Sequence, residues 1–102
     1  MSINEIHNQK ILEFIHTNKC DLSNANLSEL NANLFNFKNI EELILSDNKL
    51  TTISKEIKKL QKLKWLSLSD NPNLELNAEQ KSWLKTLQKN GCKILYSESS
   101  LK

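Results

Sequence analysis

Two lines of the chain carry the same alternation of apolar and polar positions. In residues 40–50 the apolar side chains that recur in the second line are Ile40, Leu43, Leu45 and Leu50, with Asn48 near the end. In residues 63–74 they are Leu63, Leu66, Leu68 and Leu74, with Asn71 in the matching place. Leu43 to Leu66 and Asn48 to Asn71 are both offsets of 23 residues, and a fixed offset of this size signals a stacked repeat. Within each line the period is two, which predicts a short strand whose alternate side chains point to opposite faces. Leu43, Leu45, Leu66 and Leu68 then face a core, and Ile44 and Ser67 face outward. One such Leu face has nothing to bury itself against, but stacked copies bury each other.

The columns extend in both directions. Cys20, Leu22 and Leu27 fall in the columns of Leu43, Leu45 and Leu50, a degenerate first copy with Ala25 where Asn48 stands later. Between the strands Leu30, Leu34, Phe37 and Ile40 match Ile53, Ile57, Leu60 and Leu63. Asn48 and Asn71 sit where each strand turns away, and their amides are expected to bond backbone groups of the turn and of the next repeat. Ser2-Ile3-Asn4-Glu5 has the form of a capping box. Apolar residues follow at near-helical spacing, predicting a helix over residues 3–17 that covers the first repeat. After Asn71 the pattern changes. Pro72 and Asn73 add one residue before Leu74, Asn77 to Gln80 form a second capping box, and Trp83, Leu84 and Leu87 give a helix its apolar stripe. Asn90-Gly91 stops that helix, and residues 92–96 alternate as a last strand, with Cys92 expected in the Leu43 column.

The pattern LxxLxLxxNxL, here Ile40, Leu43, Leu45, Asn48 and Leu50, resembles the leucine-rich repeat. Residues 50–63 look like its 23-residue bacterial or intracellular subtype, with Ser54 where that subtype has Pro. The resemblance implies an α/β solenoid with about four short parallel strands on its concave face and capping helices at both ends. It divides the single domain into an N-terminal cap (residues 1–19), repeats (20–74), a C-terminal helix–strand cap (75–96) and a polar tail (97–102). It also implies, loosely, a non-enzymatic role in binding other proteins.

Composition narrows the chemistry. All 14 basic residues are Lys and the net charge is +2; without Arg, bidentate readout of bases and phosphates is disfavoured. A single Gly leaves no phosphate-cradling loop. His7 and His16 are nine residues apart, not the four of a helical metal pair, and no Cys or His set has zinc spacing. No catalytic residue, cofactor or metal is expected. Cys20 and Cys92 belong to strands three spacings apart, roughly 14 Å, beyond the reach of a disulfide. Two unbonded thiols and the absence of a basic-then-apolar leader pattern suggest the cytoplasm; export without a cleaved signal would look the same. No stretch is apolar and long enough to span a membrane.

The outward strand positions form the candidate surface. They are expected to align as Lys19, Glu42 and Trp65; as Asp21, Ile44, Ser67 and Lys93; and as Ser23, Ser46, Ser69 and Leu95, with Asn24, Asp47 and Asp70 along the rim. Trp65 stands out, since strand alternation puts a large aromatic outside. The predicted partner-binding set is Trp65, Glu42, Ile44, Ser67, Asp47 and Asp70, acting as a monomer on another protein. A structural or self-associating unit pairing through its last strand is the alternative. Nucleic-acid or anionic-surface binding through the lysines of residues 55–64, of which Lys55, Lys58, Lys59 and Lys62 are expected on one helical face, is weaker.

Overall fold

A computed structural model describes residues 18–96 of the chain. The helix expected over residues 3–17, its capping box, both histidines and the tail at 97–102 lie outside them.

Four three-residue strands form one parallel sheet in chain order: β1 (Lys19–Asp21), β2 (Glu42–Ile44), β3 (Trp65–Ser67) and β4 (Lys93–Leu95). The first three pair at the expected offset, Cys20 with Leu43 and Leu43 with Leu66. Their inward side chains are fully buried, as are Leu22, Leu45 and Leu68 just beyond the strands. Each strand returns to the next over the far side of the solenoid. The first two returns are 3-10 helices, Ala32–Asn36 and Lys55–Lys59, with Leu34 and Ile57 buried beneath them.

Those two helices explain Ser54. Its hydroxyl accepts from the Glu56 N–H at 3.1 Å, as the side-chain Oδ1 of Asn31, 23 residues earlier, accepts from the Asn33 N–H at 2.9 Å. Ser54 has φ −82°, close to the value a proline ring imposes, so a capping hydroxyl serves where the subtype's Pro would fix the backbone. The four lysines Lys55, Lys58, Lys59 and Lys62 do not share one helical face. A 3-10 helix eclipses residues three apart, so Lys58 follows Lys55. Lys62 lies beyond the helix in the next turn.

The third return is a full α-helix, α1 (Ala78–Lys89), started by the predicted Asn77–Gln80 capping box with both bonds at 2.8 Å. The residue added at Pro72–Asn73 is absorbed by a turn in which Leu74 N–H reaches Asn71 O at 3.0 Å. At its other end α1 closes through Gly91, which has φ +98°. Gly91 N–H donates to Gln88 O and Cys92 N–H to Leu87 O.

That closure corrects the register of the last strand. Cys92 spends its N–H on the helix end, so the ladder begins one residue later, with Lys93 N–H donating to Lys64 O at 2.9 Å. Ile94, not Cys92, therefore pairs with Leu66; Lys93 stands beside Trp65, and Leu95 beside Ser67. The expected alignment was two residues out. The alternation survived, because a shift of two preserves which face each side chain takes, and Cys92 is still buried. Neither cysteine is in a disulfide, and the two lie toward opposite edges of the sheet.

Candidate functional site

The concave face begins with what holds it rigid. Asn48 accepts on Oδ1 from Ala25 N–H at 3.1 Å and Leu27 N–H at 3.0 Å. Its Nδ2 donates to the carbonyls of Leu22, Leu45 and Ser46. Asn71 repeats this one step on, accepting from Leu50 N–H and donating to Leu45, Leu68 and Ser69. The ladder therefore ties each repeat to the preceding one, not to the next as expected.

Beyond the strands Asn24, Asp47 and Asp70 hold φ of 53°, 56° and 59°. Side chains other than Gly rarely adopt this left-handed region, and Asn and Asp do so most readily. These three occupy one column at the 23-residue period, so the backbone turn accounts for their residue type. Asp47 and Asp70 are exposed on the rim as expected, but a partner is not needed to explain why they are Asp. The column was visible in the sequence; its periodic Asn/Asp was the signal for a left-handed turn.

The corrected register rebuilds the outward columns as Lys19, Glu42, Trp65 and Lys93, then Asp21, Ile44, Ser67 and Leu95. Trp65 is partly buried and Glu42 exposed. Ser67 is only 4% exposed, with its Oγ 3.4 Å from that of Ser69. It lies between Ile44 and Leu95 in the register and is a small, buried side chain rather than one that reaches out. Leu95, absent from the predicted set, is 47% exposed and is the large hydrophobic that stands out most among the described residues. Trp65, Ile44 and Leu95 thus surround Ser67 as an apolar patch, with Glu42 and Lys93 flanking the indole along its row. The two-residue shift brought Leu95 into the patch; the helix closure that caused it had no marker in strand alternation.

Two carboxylates near the patch have partners on the sheet. Glu41 meets Lys64 at 3.1 Å and accepts from Asn18 at 3.4 Å. Asp21 accepts from the N–H and hydroxyl of Ser23. Among the described residues no group of three or more His, Cys, Asp or Glu side chains is placed to hold a metal ion, and no helix is long and apolar enough to cross a membrane.

A family model described as leucine rich repeat matches residues 16–72, more than half of the chain. No curated protein matches it significantly.

Proposed function

The chain belongs to the leucine-rich repeat family, whose modules generally mediate protein–protein interaction, and from that premise we propose that it binds another protein through the patch of Trp65, Ile44 and Leu95. The observation that carries this reading is the placement of Trp65. Strand pairing puts it on the outward face, where core packing does not require an indole. An apolar centre within a polar edge is the usual anatomy of a binding surface, and Trp is prominent among residues that dominate one. Glu42, Lys93, Asp47 and Asp70 form the edge, and the small, buried Ser67 lies among the three apolar side chains. We read the module as a non-enzymatic monomer of the 23-residue bacterial type, supported by the unbroken offset of the first three strands. We place it in the cytoplasm, a reading favoured by two cysteines that form no disulfide.

Comparative capture from the source cell tests this. A protein held by the wild type should be lost with Trp65→Ala and kept with the convex variant Lys55→Ala. Equal retention by all three sinks the concave reading. A second reading is favoured by one observation: the outer edge of β4 pairs with nothing among the described residues, next to exposed Leu95. Self-association through that edge predicts a dimer mass in solution, where the leading reading predicts a monomer.

A further inference from the structure

The turns that lead from the outer side of the solenoid back into each strand stand side by side along one edge. Two of them are closed by Ile40 N–H to Phe37 O and by Leu63 N–H to Leu60 O, both at 3.2 Å. The third is the end of α1. A cavity of about 350 Å3 lies between the first two turns, and one of about 360 Å3 between the second turn and α1. Gln61 lines both, so they lie next to each other along this edge, two halves of a groove with the Gln61 side chain between them.

The halves differ in chemistry. Lys38, Lys59 and Lys62 line the first, with side-chain amides between them and no carboxylate among the described lining residues. Lys62 Nζ reaches across the two turns to Asn39 Oδ1 at 3.1 Å, which holds one ammonium in place. Lys59 pairs with Glu56 on its own helix; an exposed pair of this kind exchanges partners at little cost. The second half has buried Leu63 and Leu87 and partly buried Trp83 in its lining. Lys58 Nζ lies 5.6 Å from the centre of the Trp83 ring. Asn90, the C-terminal cap of α1, also lines this half. The partial negative charge of a helix C-terminus disfavours an anion there.

We propose that this groove binds an acidic peptide segment. Its carboxylates sit among Lys38, Lys59 and Lys62, and an adjacent aliphatic side chain sits against Leu63, Leu87 and the edge of Trp83. A single-stranded nucleic acid fits less well. It would use an open aromatic face for stacking, and Lys58 already occupies a face of Trp83.

Fluorescence anisotropy tests the assignment with a short labelled peptide of Glu residues around a central Leu pair. The controls are the same peptide with Lys for Glu and an oligothymidylate of equal charge. The Glu/Leu peptide should bind more tightly than either control and weaken as salt rises. Its affinity should fall at least about tenfold in the triple variant Lys38→Gln, Lys59→Gln, Lys62→Gln, the sum of three exposed charge contacts. Lys38→Gln alone, at an exposed turn position, should lose about twofold or more. Trp65→Ala, on the other surface, should bind the peptide as the wild type does. Undiminished affinity in both lysine variants, tighter binding of the oligothymidylate, or loss of the peptide only in Trp65→Ala would overturn the proposal.

Discussion

The two faces of the same strands obey different rules. Facing inward, the columns scarcely change from one repeat to the next: Cys20, Leu43, Leu66; then Leu22, Leu45, Leu68; then Ala25, Asn48, Asn71. Facing outward, the column that holds the indole changes chemistry at each step, from Lys19 to Glu42 to Trp65 to Lys93. The inner positions must fill a shared interior, where one methylene too many or too few is felt. The outer positions meet only their neighbours along the sheet and whatever docks there. A rigid lattice thus presents a row of side chains that stability leaves almost unconstrained.

The sharpest way to break this contrast is to remove an inner polar group. Asn48→Leu fits the column by size, yet it deprives Ala25 N–H, Leu27 N–H and Leu22 O of their side-chain partner inside the core. Each buried group left unsatisfied costs about 1–3 kcal/mol, so the loss should be at least about 3 kcal/mol, read as a lower denaturant midpoint. A midpoint within error of wild type would mean that the ladder does not hold the repeats together.

Gln80 tests the contrast at the junction with the cap. It is buried, and its Nε2 donates to Thr52 Oγ1 at 2.5 Å and Ile53 O at 3.0 Å. It takes over at this junction the task that Asn48 and Asn71 perform between repeats. Gln80→Ala should cost about 1–2 kcal/mol, the lost cap bond together with the orphaned carbonyl. A neutral result would show that the cap docks by apolar contact alone.

How much of this was legible depended on how tightly each position was pinned. Leu43, Leu45, Leu66 and Leu68 could be placed because period two and a constant offset specify the same face twice. The Asn77–Gln80 capping box could be read because both its bonds are local. The partners of Gln80 in the preceding repeat could not, since nothing in a capping box says what the side chain faces. The bond from the Tyr96 hydroxyl to Leu74 O, 3.3 Å, was hidden for the same reason. The β4 register failed where a helix replaced a 3-10 return. The 23-residue count no longer applied, and alternation fixes a face but not a partner.

Cys92 offers a smaller, pH-dependent test. Burial pushes its thiol up to about 11 from an ordinary 9.0. The unfolded chain therefore ionises first, and its stabilisation is full below pH 9.0 and lost as pH rises to about 11. The wild type should lose about 1–2 kcal/mol more than Cys92→Ala across that window. Parallel stability curves for the two proteins would show that the thiol is not held neutral by the core.

Trp65→Ala should have the smallest effect on the fold and the largest on function. The indole is only partly buried, and its row neighbours Glu42 and Lys93 are both exposed. Truncation removes some contact with those side chains but leaves no buried polar group unpaired and no closed cavity. Unfolding free energy should therefore fall by no more than about 1 kcal/mol. Binding is a separate matter. A partner side chain seated over Ser67 would touch Ile44 and Leu95 on either side and the indole along the strand. Losing the largest of the three should weaken the complex by at least about 2 kcal/mol. Titration calorimetry with the captured partner and denaturant unfolding of the same variant read the two effects independently. A large stability loss would make Trp65 a core residue in disguise. Unchanged affinity would leave the patch without a role, and the contrast between a constrained inner face and a recognising outer one would reduce to packing alone.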